Sequence, residues 1–131
     1  MNVIATAPGK VVLSGEYAVL DGAPAICMAL NRRAIAKVNE SPDGQCHVAT
    51  PGFAGDDPFR VVDAVCGGVR PARSIELDTQ AFSEKGSKTG IGSSAALTVA
   101  LVAALGKSEN VFVQSLRAHS ELQGGAGSGV D

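Results

Sequence analysis

Tryptophan is absent from the sequence, and phenylalanine and tyrosine make up only 4% of it. Neither sign of charge dominates, since 13 aspartates and glutamates face 11 lysines and arginines. Nucleic-acid surfaces need a basic excess and, for single strands, aromatic side chains on which the bases stack. The composition therefore predicts no nucleic-acid partner, and the same charge balance gives no reason to expect binding to an anionic membrane.

Cysteines and long apolar runs are scarce as well. The three cysteines, Cys27, Cys46 and Cys66, are odd in number and lack the paired spacing of a metal site. No apolar run is long enough to cross a bilayer, and the first residues lack the basic and apolar regions of a secretion signal. We expect a reduced, cytoplasmic protein with no membrane partner.

The stretch from Lys88 to Leu105 carries most of the information about function. A polar loop with two glycines, Gly90 and Gly92, runs into a long series of apolar and small residues that ends at Gly106. The series predicts a buried helix, and the glycines before it let the backbone approach a ligand closely.

Ser93 and Ser94 stand where this helix begins, at amide groups that have no partner within the helix. Such a helix start attracts anions, and phosphate above all. The loop and the helix start therefore predict a phosphate-binding site. Two serines that simply cap a core helix are an alternative that this stretch alone leaves open.

Two other glycine motifs fit this loop poorly. Residues 90–95 satisfy the dinucleotide pattern G-x-G-x-x-G/A, and Glu109 lies near the place of a ribose-binding acid. The preceding strand ends well upstream, however, and Glu109 falls in a polar break. The loop also lacks the glycine–lysine pair of the P-loop pattern G-x-x-x-x-G-K-[ST].

The N-terminal part of the chain is typical of strands and connections. Segments 2–7 and 10–14 look like strands that Pro8 and Gly9 interrupt, and segment 18–30 looks like core and connection. With 45% hydrophobic residues in a chain of 131, we expect one globular domain or a piece of a larger one.

The next segments predict a hairpin. Residues 32–39 alternate as a half-exposed strand, and a turn at 41–44 leads to a second strand at 45–50. His47 on that second strand has no acidic or cysteine neighbour in register. We expect it to be a surface or core histidine and not a metal ligand.

Two helices and one strand complete the pattern. Asp57 and Pro58 precede a short amphipathic helix at 59–66, a strand follows at 74–79, and a second amphipathic helix spans 110–122. The segment from Gln123 to Asp131 contains four glycines. We expect it to form a second loop of the site that brings Asp131 toward the first loop, and a flexible tail is the alternative.

Three separated stretches, 7–22, 90–96 and 127–131, resemble the N-terminal part of the GHMP small-molecule kinases. Residues 88–96 and 118–131 are most similar to phosphomevalonate kinase, with mevalonate kinase as its nearest rival. The resemblance spans essentially the whole chain but only about the first half of such an enzyme.

The fold that this resemblance implies is α+β. A mixed sheet backed by helices would contain a β-α-β unit with a left-handed crossover, opposite to the hand that the general rule predicts. The resemblance also implies that residues 1–131 form the N-terminal, ATP-binding domain of a truncated chain from which the C-terminal domain is absent.

The cofactors implied by the resemblance are ATP and Mg²⁺. The residues that would surround the ATP phosphates are Lys88, Gly90, Ile91, Gly92, Ser93, Ser94 and Ala95. The Ser94 hydroxyl would bind Mg²⁺. Glu121 is a second candidate ligand, since the metal-binding acid of mevalonate kinases falls on Ser120 in this sequence.

Lys10 and Asp131 match the catalytic pair of the family. Lys10 would approach the transferring phosphoryl group, where a cation offsets developing negative charge. Asp131 would accept the proton of a hydroxyl acceptor, or would orient Lys10 and the substrate where the acceptor is a phosphate. Glu16, Tyr17 and Ser128 would shape the acceptor pocket.

The implied function is phosphoryl transfer from ATP to a small isoprenoid-precursor acid, phosphomevalonate first and mevalonate second. One departure affects the acceptor, because Gln123-Gly124-Gly125 stands where phosphomevalonate kinases usually have Gln-Gly-Lys. The expected partners are this small-molecule substrate and a missing C-terminal half or a complementing chain. A homodimer is a further option.

Two alternatives belong to other classes of protein. The first is a truncated nucleotide-binding module without activity of its own, and a turnover measurement would separate it from a kinase. The second is a hydrolase built on Ser94, His119 and Asp131. It is less favoured, because Ser94 does not lie in the G-x-S-x-G motif of a nucleophile elbow.

Overall fold

A four-stranded mixed sheet covered by helices forms the body of the protein. The computed structural model describes residues 2–15, 18–52, 58–84, 87–88, 92–106 and 110–124. The strands of the main sheet are β1 (Val3–Ser14), β2 (Ile26–Glu40), β3 (His47–Ala49) and β4 (Arg73–Asp78), and a small second sheet pairs β5 (Ser83–Glu84) with β6 (Ser87–Lys88). The helices are α1 (Arg60–Cys66), α2 (Ser93–Leu105) and α3 (Val111–Leu122).

The strands of the main sheet lie in the order β1-β2-β4-β3. The β1–β2 and β2–β4 pairs are antiparallel, whereas β3 runs parallel to β4. Because α1 connects these two parallel strands, β3, α1 and β4 form a β-α-β unit. The α+β fold with a mixed sheet is thus confirmed, and the handedness of the crossover stays a prediction.

The predicted hairpin at residues 41–44 is wrong. The chain does bend there, but β3 pairs with β4, and β4 occupies the place beside β2. Apolar contacts explain this order, since Val38 of β2 lies opposite Ile75 of β4 in the middle of the buried face. The turn signal is local and carries no information about this distant strand.

The side chain of Asp43 makes several hydrogen bonds within the turn. It also lies next to His47, an acidic neighbour that the sequence did not predict. Asp43 Oδ1 lies 2.8 Å from His47 Nε2 and accepts hydrogen bonds from the Gln45 amide at 3.0 Å and the Ser41 hydroxyl at 2.9 Å. The contact with His47, followed by these two donors, lowers the pKa of Asp43 to about 2. His47 is a surface histidine, as expected.

Strand β1 is continuous, so the expected interruption at Pro8 and Gly9 is wrong. The register against β2 shifts between Pro8 and Lys10, which marks a β-bulge in place of a break. Pro8 is tolerated because β1 lies at the edge of the described sheet, where a missing amide donor need not cost a ladder bond. The bulge determines where Lys10 lies.

The segment from Ala18 to Leu30 is not core. Its 3₁₀ helix, Ala18–Asp21, contains no buried residue, and the first residues of β2 are exposed, with Ile26 at 59% and Met28 at 49%. Part of this end of the β1–β2 ribbon faces α2 only across a cavity. An apolar sequence alone cannot show where helical cover stops.

The core lies between the sheet and α2. Helix α2 is buried nearly all round, and its alanines let it lie close to β1 and β2. The fully buried side chains with the largest volumes are Phe82, Ile75, Leu77, Leu97, Leu101, Val62 and Thr98. The predicted bounds of α2 are confirmed, including its end at Gly106, which has a left-handed φ of 60°.

Helices α1 and α3 also match the prediction, with small differences at their starts. Asn110 caps α3, and its side chain accepts a hydrogen bond from the Val113 amide at 3.0 Å. Helix α1 begins at Arg60 and has no side-chain cap at Phe59, while Asp57, the predicted cap, lies outside the described residues. None of the described helices has the length and apolar character needed to span a membrane.

Candidate functional site

The residue that precedes the first turn of α2 is a glycine in the left-handed backbone conformation, which other residues rarely adopt. Gly92 is the N-cap residue, with φ 78° and ψ 36°, and no side chain makes a capping hydrogen bond there. The simple capping role for Ser93 and Ser94 is therefore wrong. The first hydrogen bond of the helix runs from the Ala96 amide to the Gly92 carbonyl at 3.0 Å, so the amides before Ala96 have no acceptor within the helix.

Lys10 lies directly against Gly92. A Cβ atom added to Gly92 would lie 3.0 Å from Cε and 3.3 Å from Cγ of Lys10, so the lysine side chain would have to shift by a few tenths of an ångström. Glycine thus suits this place through its left-handed backbone conformation, and its missing side chain leaves room for the lysine stem. Two residues that the sequence predicted in separate parts of the site meet at one point.

A cavity of about 290 Å³ opens on the Lys10 side of Gly92. We call it the bulge cavity, since the bulge of β1 forms one wall, with Gly9 and Lys10, and Ala29 of β2 lies next to them. Gly92 and Ala95 of α2 form the opposite wall. The shifted register therefore places a cation where this cavity meets the positive end of a helix.

A second cavity, of about 310 Å³, lies at the same helix start and extends toward the other two helices. We call it the helix cavity, and its polar and charged lining includes Arg60 of α1, Ser94 of α2 and His119 of α3. Gly92 and Ala95 line both cavities. The start of α2 is thus shared by the two cavities.

The electrostatics of the two compartments favour an anion at their junction. Lys10 is half-buried in one cavity and Arg60 lines the other, and the partial positive charge of the α2 N-terminus lies between them. Arg60 also donates a hydrogen bond from Nη2 to the carbonyl of Leu122 at 2.8 Å. Ser94 is half-buried at the same place.

The described residues offer little for a protein-built metal site. The carboxylate of Glu121 accepts a hydrogen bond from Arg117 at 2.9 Å, and Glu121 lines neither of the two cavities. Among the residues described, no group of three histidine, cysteine, aspartate or glutamate side chains could hold a metal. Mg²⁺ usually keeps waters and binds substrate phosphates with only one or two protein ligands, and the Ser94 hydroxyl fits that pattern.

Several predicted site residues cannot be placed. Glu16, Tyr17, Gly90, Ile91, Ser128 and Asp131 lie outside the described residues. Lys88 belongs to β6. Ser94 and His119, which the hydrolase alternative combines, do line the same cavity, but Ser94 lies within α2 and not on the sharp strand-to-helix turn of a nucleophile elbow.

Arg60 is the site residue that the sequence did not indicate. It belongs to no motif, and most single arginines are solvated surface residues. Only the long-range contact with Leu122 and the shared cavity distinguish it.

Comparison with known proteins agrees with this geometry. The mevalonate kinase of Archaeoglobus fulgidus is 36% identical over 98% of this chain and 48% of its own length, and that of Methanothermobacter thermautotrophicus is 34% identical over 96% and 45%. The chain corresponds to the N-terminal part of a GHMP kinase. No family model matches it.

Solved structures support the GHMP fold. The phosphomevalonate kinase of Streptococcus pneumoniae, in complex with phosphomevalonate and AMPPNP, superposes with a TM-score of 0.72 at 18% identity, over 96% of this chain and 44% of that one. The mevalonate kinase of Methanococcus jannaschii gives 0.67 at 18% identity, over 98% and 50%. The chain thus spans about half the length of the proteins that it matches.

Proposed function

We propose that this chain is the nucleotide-binding half of a kinase that transfers a phosphoryl group from ATP to a small isoprenoid-precursor acid. The contact between Lys10 and Gly92, at a helix start shared by two cavities, is the observation that carries the proposal. One cavity would hold the nucleotide and the other the acceptor. The transferring phosphoryl group would then lie at the junction, beside Lys10.

The start of α2 suits the phosphates of ATP. Its first amides have no acceptor within the helix, and Gly92 has no side chain to keep a phosphate away from the backbone. Mg²⁺ would bind the phosphates together with the Ser94 hydroxyl, and would neutralise charge as the phosphoryl group moves. The remaining phosphate-binding residues proposed are Lys88, Gly90, Ile91, Ser93 and Ala95.

The reaction needs positioning and charge neutralisation more than covalent chemistry. Lys10 would offset the charge that develops on the transferring phosphoryl group. Asp131 would orient Lys10 and a phosphate acceptor, which is mostly dianionic at neutral pH because its second pKa is about 6. For a hydroxyl acceptor, Asp131 would take the proton.

Two observations bear on the acceptor and favour different ones. The motif at residues 88–96 resembles phosphomevalonate kinases, whereas the fold is shared by a phosphomevalonate kinase and a mevalonate kinase alike. The relatives of 34–36% identity are mevalonate kinases. We place phosphomevalonate first and mevalonate second. Because the relatives are about twice as long, we propose a C-terminal half or a complementing chain as the partner that completes the site.

Replacing Ser94 with alanine should weaken MgATP binding by roughly three- to tenfold, the loss of about one hydrogen bond. The variant keeps the helix, because Ser94 makes no capping bond and alanine is the best helix former. Isothermal titration of the 131-residue chain with MgATP measures the change.

Ser115→Ala is the matched control for this titration. Ser115 lies on α3, is buried, lines neither cavity, and its hydroxyl has no hydrogen-bond partner among the described residues. We expect MgATP affinity to be unchanged in this variant. Equal affinity in the wild type and Ser94→Ala would refute the role of Ser94 in phosphate binding.

A further inference from the structure

Arg60 connects the helix cavity to the end of α3. Its side chain lines the cavity with Gly92 and Ser94, and its Nη2 donates to the carbonyl of Leu122 at 2.8 Å. Arg60 is the first residue of α1 and Leu122 is the last residue of α3. This hydrogen bond therefore joins two helices that are far apart in sequence. Arg60 is exposed, yet its side chain makes both contacts.

The hydrogen-bond acceptor is a group that needs a donor. The last carbonyls of a helix have no partner within it, and they carry the negative end of the helix dipole. A guanidinium satisfies both needs at the Leu122 carbonyl. It has five N–H donors in a rigid planar fork, so the bond to Leu122 leaves other donors of Arg60 for a second acceptor in the cavity.

We propose that Arg60 is a positioning residue that bridges an ATP phosphate in the helix cavity and the C-terminal end of α3. This inference rests on the proposed function, because it requires a phosphate at the start of α2. Binding of the anion would fix the guanidinium, and the guanidinium would fix the last turn of α3. From that turn the chain continues through Gln123 to Asp131. Nucleotide binding would therefore order the residues directly after Leu122, where the segment that leads to Asp131 begins.

The structure supplies amides that report on each end of this bridge. At the end of α3, the amides of Gln123 and Gly124 donate to the carbonyls of His119 and Glu121, each at 3.1 Å. Their hydrogen exchange measures how often the last turn opens. At the start of α2, the chemical shifts of the Ser94 and Ala95 amides report directly on an anion bound there.

Arg117 provides a matched control. Like Arg60, it joins α1 and α3 by donating from Nη2 to a backbone carbonyl, that of Val65, at 3.2 Å. Unlike Arg60, it does not line the helix cavity. Arg117→Gln and Arg60→Gln therefore both remove a charge and a contact between α1 and α3, and Arg117→Gln also removes the ion pair with Glu121 in the last turn of α3. Only Arg60→Gln removes the bridge, so the effect of MgATP is compared within each protein.

The test is amide NMR of the 131-residue wild type, Arg60→Gln and Arg117→Gln, each with and without MgATP. We expect MgATP to shift the Ser94 and Ala95 amides in all three proteins. It should slow exchange of Gln123 and Gly124 roughly tenfold in the wild type and Arg117→Gln, as a charge-assisted hydrogen bond would, and less than twofold in Arg60→Gln.

The bridge is refuted if the Ser94 and Ala95 shifts appear but MgATP slows exchange equally in Arg60→Gln and the wild type, or in neither. If MgATP leaves the Ser94 and Ala95 amides of the wild type unchanged, the proposed nucleotide site itself is wrong and the bridge falls with it. Failure of the nucleotide site is thus detected at Ser94 and Ala95, and failure of the bridge is detected at Gln123 and Gly124.

Discussion

Lys10→Ala should lower the kcat of the completed kinase on the order of 10²-fold, which is a typical loss when one group that stabilises developing charge is removed. The affinity for MgATP should change less than threefold. Here the completed kinase means this chain together with the C-terminal half or complementing chain proposed above. In the structure, Lys10 lies against Gly92 where the two cavities meet. In the proposed reaction, a cation at this junction would stabilise the moving phosphoryl group more than the bound nucleotide.

Lys37→Ala is the control for this effect. Lys37 is on β2 and forms an ion pair with Glu76 at 3.3 Å, and it lines neither the bulge cavity nor the helix cavity. We expect kcat within twofold of the wild type, since exposed ion pairs contribute little. Steady-state kinetics and MgATP titration of both variants separate turnover from binding. A Lys10→Ala variant that loses affinity but retains kcat would place Lys10 in ground-state binding.

Gly92→Ala should damage the protein in two ways. An alanine at φ 78° costs about 1–2 kcal/mol of the free energy of unfolding. Its Cβ would also lie 3.0 Å from Lys10 Cε, so the lysine side chain would have to shift by a few tenths of an ångström at the helix start. We expect MgATP affinity to fall roughly tenfold, equal to about 1.4 kcal/mol, and kcat to fall as well.

Gly106→Ala separates the two effects, because Gly106 lies at the other end of the same helix. Its φ is 60°, but an added Cβ would meet no atom within 4 Å. This variant should lose a similar amount of stability in urea unfolding and should keep its MgATP affinity. If both variants lose affinity equally, the loss comes from general destabilisation of α2, and the contact between Gly92 and Lys10 has no functional role.

Local signals in the sequence were sufficient for the helices. Helix α2 was predictable because apolar and small residues fill its whole length, and because Gly106 supplies the left-handed residue that ends it. Asn110 at the start of α3 is a signal of the same local kind, since its side chain competes for backbone amides and so favours a helix start. These effects act over a few residues and leave a readable pattern.

The pairing of strands that are distant in the chain leaves no such pattern in the sequence. The turn at Ser41–Gly44 predicts a hairpin, yet β4 takes the place beside β2 because Ile75 completes an apolar row with Val38. The distance between Lys10 and Gly92 depends on a bulge whose effect on the register appears only when β2 is in place. The resemblance to GHMP kinases assigned both residues to one site, but the packing of one against the other required the structure.

A coupled ADP-release assay decides whether this chain forms the nucleotide half of a kinase. The 131-residue chain and the completed protein would each be offered MgATP with phosphomevalonate, with mevalonate and with neither. We predict that the completed protein releases ADP with one of the two acceptors, phosphomevalonate first, and that the short chain binds MgATP without turnover. A completed protein that binds MgATP but releases no ADP with either acceptor would contradict the account and identify a nucleotide-binding module.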